Sequence, residues 1–463
     1  MTEKKDIREF FHKGTRVHLP GIGGVSMCPL AEVLHQRGLS VQGSDMTESP
    51  STRHLRDLGI TVFNGHNADN LGDADLVIRT AAVRDNNPEI AGAIARGIPV
   101  YERAEAWGAI MRDYRHAVCV AGTHGKTTTT SMVTHIFLAA EKDPTVMIGG
   151  FLPALDGGYR VGQGDSMVIE SCEYHDSFLH FFPTTAVILN VEEDHLDYFA
   201  DLQAIEHSFR RFAELVPEDG FVVANADDPA TRDTLRGLPH PVFYFSAHDR
   251  TAACHAENLT WEQGLPRFDV VINGKFFTRV SLAVGGIHNV QNALAAASAA
   301  YLAGIGGEAV AAGLAGFTGA KRRFERKGTF RGAVIYDDYA HHPTELKNLF
   351  LTAKSLGYRR IICAFQPHTY SRTERLFADF ADVLRIPDVT VLGEIYAARE
   401  SNDRGISSAA LEREIPGSVY CPTLDKIADA LRRIACEGDL ILTVGAGDIY
   451  KVGEMLAEST QEK

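Results

Sequence analysis

The chain is expected to be an α/β protein of about three domains, and three observations support this. Its 463 residues exceed what one core holds, because single cores stop growing near ~250–300 residues. Strand-like and helix-like segments alternate almost throughout, as in parallel sheets flanked by helices. Glycine-rich turns follow strands at residues 21–24 and 122–125, where such sheets hold ligands.

The elements follow in order. RVHLPG reads as a first strand, SMCPLAEVLHQRG as the helix after it, LSVQGSD as a second strand and DLVIRTAA as a later one. This first unit closes near Arg112 to His116. AVCVAG opens a second unit, with a helix expected over Thr127 to Ala140. MVIESCE and AVILNV read as buried strands, and LQAIEHSFRRFAELV has helical periodicity. Between about Pro241 and Val284 short strands and turns take over, with I-N-G-K-F as a hairpin signal. HNVQNALAAASAAYLAG returns to helix. After the basic run AKRRFERKGTFRG, which reads as a solvated interdomain linker or as cations for a triphosphate, a third unit begins. Its strands are AVIYDDYA, RRIICAFQPH and DLILTVGAG, and its helices PTELKNLFLTAKSLG and DIYKVGEMLAE.

Composition narrows the function classes. The 46 basic and 60 acidic residues leave a formal charge of −14, which argues against nucleic acid as a partner. Seven cysteines are scattered without a C-x-x-C pair, which fits reduced thiols in the cytoplasm. MTEKKDIREFF lacks the apolar core of a signal peptide. The apolar stretch Asn292 to Gly316 is interrupted by a glycine pair and Glu308, so buried helices with a turn are expected rather than stable membrane insertion.

The strongest motif is Gly122-Thr123-His124-Gly125-Lys126 followed by Thr127, Thr128, Thr129 and Thr130. Its glycines are closer than in G-x-x-x-x-G-K-[S/T], but it follows a strand and opens a helix. A helix N-terminus offers free N–H groups to phosphate, Lys126 a point charge, and Thr127 or Thr128 a hydroxyl for Mg2+. Glu170 and Glu173 end the next strand, and Glu192, Glu193, Asp194, His195 and Asp197 follow another. Carboxylates and imidazole at a sheet edge beside a phosphate loop suit Mg2+.

Gly21-Ile22-Gly23-Gly24 resembles a dinucleotide fingerprint, with Ser26 at the third glycine position and Asp45 ending the second strand after Ser44. It fits nucleotide or diphosphate binding broadly, and leaves a nicotinamide-dependent oxidoreductase as a lesser alternative. In the third unit, Asp337 through Glu345 and Gln366 through Arg372 occupy two strand-to-helix turns on one sheet edge. Arg372 suits a carboxylate, and the histidines suit orientation or proton transfer. His288, Asn289 and Asn292 could read a purine edge.

Across essentially the whole chain, GIGGVSM, GTHGKTTTT, ESCEYHDSFL, EEDHLDYF, DDYAHHPTE, QPHTYSR and EIYAARE resemble the Mur ligase family, the ATP-dependent amide-forming ligases of peptidoglycan synthesis. Within it the set is most similar to the member that adds the first amino acid. The resemblance implies a Rossmann-like domain over 1–115 for the UDP part of the substrate. It implies a central P-loop-type ATPase domain over 116–318, with a mainly parallel sheet plus a small antiparallel sheet. A Rossmann-like domain over 319–463 would take the amino acid. The implied substrates are UDP-N-acetylmuramate, L-alanine and ATP, with Mg2+, two ions in all. The lactyl carboxylate would be phosphorylated by ATP, and the amine would attack the acyl phosphate.

The resemblance also implies roles. Gly21, Ile22, Gly23, Gly24, Ser44 and Asp45 would meet the UDP moiety. Gly122, Thr123, His124, Gly125, Lys126, Thr127 and Thr128 would hold ATP phosphates. Thr127, Glu170 and His195 would be the metal ligands. His288, Asn289 and Asn292 would lie near adenine, and Arg323 with Asp337 or Asp338 would reach ATP from the third domain. Tyr339, His341, His368 and Arg372 would frame the alanine and the acyl phosphate, with Lys126, Glu170, His195, His341 and Arg372 catalytic. Some relatives place a carbamoylated lysine on the second metal ion, but residues 143–274 contain no lysine. Thr369 stands where some alanine-adding relatives carry Arg. A family member joining a whole tripeptide to the same sugar nucleotide, and a non-catalytic nucleotide-binding regulator with this fold, remain the alternatives.

Overall fold

A parallel strand buried on both faces needs an almost unbroken apolar run, and His116–Ala121 shows it: Ala117 through Ala121 are fully buried. In the computed structural model, which describes residues 5–80, 82–196, 198–398, 400–403 and 405–458, such strands form the centres of three sheets. The first contains β1 (Arg16–Pro20), β2 (Ser40–Asp45), β3 (Thr61–Asn64), β4 (Leu76–Arg79) and β5 (Val100–Glu102). Its order is β3-β2-β1-β4-β5, all parallel. The glycine turn after β1 therefore lies at the point where strand order reverses.

The second sheet contains β6 (His116–Ala121), β7 (Thr145–Leu152), β8 (Gly157–Arg160), β9 (Ser166–Glu170), β10 (Thr185–Ile188), β11 (Phe221–Asn225), β12 (Val242–Ser246), β13 (Cys254–Glu262), β14 (Leu265–Ile272) and β15 (Lys275–Ser281). Its order is β15-β14-β13-β12-β11-β10-β6-β9-β7-β8. The antiparallel strands expected as a separate small sheet instead extend this one, because β12 and β13 pair in parallel. The hairpin at Asn273-Gly274 is present, and both residues take positive φ as its tight turn requires.

The third sheet contains β16 (Glu325–Phe330), β17 (Ala333–Asp338), β18 (Arg360–Phe365), β19 (Val389–Leu392), β20 (Val419–Tyr420) and β21 (Asp439–Val444), in the order β16-β17-β21-β18-β19-β20. Here the basic run departs from a simple linker. Residues 325–330 form an edge strand antiparallel to β17, capped by Gly332 at positive φ.

Two packing details position the site. The helix Lys126–Ala139 carries poor helix formers, yet their hydroxyls bond back to carbonyls four residues earlier: Thr130 to Lys126, Ser131 to Thr127 and Thr134 to Thr130. It is covered by the helices Ile287–Leu302 and Gly307–Gly316, the two expected in the apolar stretch. No helix is long and apolar enough to cross a membrane. The helix Arg103–Met111 buries Trp107, Ile110 and Met111 in one apolar cluster with Phe178 and Phe181, joining the first sheet to the second. Gly108 is required there, since a Cβ would strike the His180 carbonyl oxygen.

Candidate active site

The phosphate loop forms because β6 ends beside β10 and the chain must reverse into a helix. Gly125 caps that helix with φ +81°, and a Cβ on it would lie 2.8 Å from Asn292 Oδ1. Asn190, after β10, braces the loop by accepting the His124 N–H at 2.7 Å. Thr123 accepts the Glu192 N–H at 2.8 Å. Lys126 folds back, donating to the Thr123 carbonyl and to both Glu173 oxygens at 3.1 and 3.0 Å. Burial opposes its charge, but Glu173 outweighs that and its pKa is raised.

Thr127 donates to Glu170 Oε1 at 3.1 Å, and Glu170 Oε2 accepts the Gly149 N–H at 2.7 Å. The carboxylate fills the space a side chain at 149 would need. His195, at φ +53°, lies 3.7 Å from Glu173 and 4.0 Å from Asp194. So Thr127 and Glu170 meet, while His195 lies beside Glu173, the partner of Lys126. Asp197 lies outside the described residues, as does Arg399 of EIYAARE.

A cavity of about 900 Å3 opens where the central and third sheets face each other. One wall carries His124, Gly125, Thr128, His288, Asn289 and Asn292; the other carries Arg323, Asp338 and Glu345. This separates the two aspartates. Alternation along β17 sends neighbours to opposite faces, and Asp337 is fully buried, bound to Arg322 at 3.1 Å and Thr443 at 2.8 Å. Asp337 is therefore corrected from a cavity residue to a structural one. Asp338 lines the cavity, accepts N–H groups of Phe324 and Ala340, and is pushed up to about 6 by burial. Asn292 donates to Asn289 Oδ1 at 3.2 Å, and Asn289 to the Gly285 carbonyl, so these amides brace each other along the wall.

The third-sheet residues converge on Asp194. Arg372 donates to Asp194 Oδ1 through Nε at 3.0 Å and Nη2 at 2.7 Å. Arg372, His195 and His341 together hold the Asp194 carboxyl far below its ordinary range, against burial. His341 donates Nδ1–H to the Tyr339 carbonyl at 3.0 Å, and burial lowers it to about 3. His368 stacks on Tyr396 at 5.6 Å, and burial with Arg372 lowers it to about 4. Tyr339 packs under Arg322 and Arg323. Thr369 turns the corner into the helix Tyr370–Arg375 at φ +66° and donates its N–H to the Tyr396 carbonyl.

In the first sheet, Gly21 and Ile22 donate to the Ser44 carbonyl, and Gly23 N–H to Asp45 Oδ2 at 3.0 Å. A Cβ on Gly23 would strike Thr52 and Asp45, so Asp45 closes the glycine loop. The Ser44 hydroxyl is buried and donates to Glu89 at 2.6 Å, which holds the strand end from beneath.

Sequence reasoning passed over Glu173, Asp194, Glu345 and Asn190 as site residues. Glu345 had a local signal: His342-Pro343-Thr344-Glu345 forms a capping box at the helix Pro343–Ser355. Glu173 and Asp194 stood inside quoted clusters, but their partners Lys126 and Arg372 lie 47 and 178 residues away.

Comparisons with known proteins cover the same ground. The chain matches the Mur ligase family, catalytic domain, over residues 16–115, the Mur ligase middle domain over 120–300, and the Mur ligase, glutamate ligase domain, over 322–447. UDP-N-acetylmuramate–L-alanine ligase of Clostridium novyi (strain NT) is 44% identical over 448 residues, 96% of this chain and 97% of that protein. Among solved structures, the UDP-N-acetylmuramate–alanine ligase of Thermotoga maritima aligns with TM-score 0.77 at 32% identity, covering 96% of this chain and 99% of that one. A murein peptide ligase from Psychrobacter arcticus 273-4 aligns with TM-score 0.70 at 27% identity, covering 96% and 98%. Three family matches in chain order and near-full-length likeness at 44% identity lead to one conclusion: this chain belongs to the Mur ligase family.

Proposed function

We propose that the protein joins L-alanine to the lactyl carboxylate of UDP-N-acetylmuramate with ATP, forming ADP and phosphate. The observation that carries this is near-full-length likeness to ligases of that name, at 43–44% identity in several bacteria. Among solved structures the alanine ligase aligns at 32% identity and the murein peptide ligase at 27%. The cavity gives the chemistry a place: a phosphate loop on one wall and Arg323, Asp338 and Glu345 on the other.

The geometry supports a division of labour. ATP phosphates draw the Lys126 ammonium away from Glu173 and occupy the N–H groups at the head of the helix Lys126–Ala139. Thr127 and Glu170 offer a hydroxyl and a carboxylate oxygen already converged, hard donors suited to Mg2+. His195, beside Glu173, would hold a second Mg2+ ion. Mg2+, when bound, neutralises phosphate charge that would repel the attacking carboxylate. The lactyl carboxylate attacks the γ-phosphorus, giving an acyl phosphate and ADP. The alanine amine then attacks that carbonyl, and phosphate leaves.

Arg372 binds the alanine carboxylate, while His341 and His368, kept neutral by burial, frame the amine, and the proton lost on amide formation leaves with the phosphate. Closure of the third domain, from residue 319, on the central one, from 116, keeps water from the acyl phosphate.

The test is ADP release with UDP-N-acetylmuramate, ATP and a panel of acceptors. L-alanine should support turnover and Lys126→Ala should abolish it. Turnover with a tripeptide but not with L-alanine would overturn the assignment.

A further inference from the structure

One cluster at the cavity wall has side chains to which the steps above give no part. His124 in the phosphate loop, Glu192 after β10 and His342 at the head of the helix Pro343–Ser355 offer nitrogen and oxygen atoms all within 4.8 Å of one another. We propose that these three residues form a binding site for a borderline transition cation of the zinc class, linking the phosphate loop to the third domain.

Ligand orientation is the first argument. A metal-binding imidazole typically donates its other ring N–H to a carboxylate or a carbonyl. His342 donates Nε2–H to the Glu193 carbonyl at 3.1 Å, which turns the lone pair of Nδ1 toward Glu192 Oε2, 3.8 Å away. His124 sets Nδ1 3.3 Å from Glu345 Oε1 and Nε2 3.4 Å from Glu192 Oε2. That Nε2 is buried and makes no hydrogen bond. Two imidazoles, each with an acceptor behind it, thus face one carboxylate oxygen.

Spacing is the second argument. Zn–N and Zn–O bonds near ~2.0–2.1 Å in a tetrahedron put neighbouring ligand atoms about 3.3 Å apart. The 3.4 Å and 3.8 Å separations are close to that edge. Two nitrogens and one oxygen favour zinc or cobalt over magnesium, which takes oxygen ligands. Three protein ligands leave one position for water.

Two local interactions yield to the cation. The Thr344 N–H, which caps the helix through His342 Nδ1 at 3.3 Å, gives up that long bond. The Thr344 hydroxyl, which donates to Glu192 Oε2 at 2.6 Å, shares that oxygen with the cation.

The experiment uses the full-length protein stripped of metal and free of nucleotide. Cobalt is titrated and followed by visible absorption, and zinc displaces it. The expected result is one tetrahedral cobalt per chain. Zinc should raise the thermal midpoint, since the cation bridges two domains. His342→Gln and Glu192→Gln, checked for a native circular dichroism spectrum, lose the cobalt spectrum. His195→Ala, at the Mg2+ ligands, keeps it. Absence of a cobalt spectrum in the native protein would overturn the proposal. So would its loss in His195→Ala with survival in His342→Gln.

Discussion

The Arg372–Asp194 pair is the clearest lever on domain closure. It joins the third domain to the central one, with 12% and 7% of the two side chains exposed. The perturbation is Asp194→Asn. Asparagine keeps Oδ1, which accepts the His195 N–H at 2.8 Å, so His195 stays in place while the charge is lost. Charge centres roughly 4 Å apart attract by about 4 kcal/mol at an effective dielectric near 20. The retained hydrogen bonds return about 1–1.5 kcal/mol. The net loss of about 2.5–3 kcal/mol weakens closure by roughly 60–150-fold.

If closure precedes chemistry, kcat/KM for ADP release falls by a factor of that order, while the Mg2+ dependence stays as it was. Arg372→Ala should lose the same closure energy and, in addition, raise KM for L-alanine. In the Asp194→Asn background its closure effect should vanish and the KM effect remain. Turnover of Asp194→Asn within about threefold of the native protein, a difference of less than ~1 kcal/mol, would refute the reasoning.

Three further outcomes are expected. Asp337→Ala should cost about 3 kcal/mol of stability by stranding Arg322, with KM for ATP unchanged, whereas Asp338→Asn should raise that KM roughly tenfold; melts and initial rates separate them. Gly125→Ala meets a left-handed backbone and the Asn292 side chain, so about 1–2 kcal/mol should be lost and ATP should bind roughly 5–30-fold more weakly in direct titration. The third concerns pH. His288, His341 and His368 have depressed pKa values of about 4, 3 and 4, so below ~6.5 the unfolded chain takes up their protons first and stability falls with falling pH. His124, raised to about 10, acts oppositely: its contribution is complete below ~6.5 and is lost as pH rises toward 10. Denaturant melts across pH should show both limbs, and His124→Gln should flatten the alkaline one.

Local pattern carried much of the fold. β6, β9 and β10 are short apolar runs between turn signals, and the loop Gly122–Gly125 was legible because a strand precedes it and a helix follows. Non-local pairing was not legible. Nothing near β12 says that it will pair with β13 and extend the central sheet. β16 was masked by its own charge: in ERKGTF the basic side chains read as solvated, although the backbone pairs with β17. The two aspartates show the same limit at the site. Alternation states that Asp337 and Asp338 diverge, but which one faces the cavity depends on where the central domain docks. Partners of Lys126 and Arg372 were hidden for the same reason, since Glu173 and Asp194 approach them only through the tertiary fold.

Those partners bear on how the site recognises its substrates. Lys126 is held by Glu173 and Arg372 by Asp194, so neither cation lies unpaired in a buried site, where an isolated charge would be costly. In the proposed reaction ATP phosphates take over Lys126, while the alanine carboxylate joins Asp194 on Arg372 from the Nη1 side that faces His368. A neutral analogue would have to separate a buried ion pair without replacing it, an arrangement that disfavours it by several kcal/mol. Once the phosphates hold Lys126, Glu173 keeps His195 as its neighbour, next to the hydroxyl–carboxylate pair of Thr127 and Glu170.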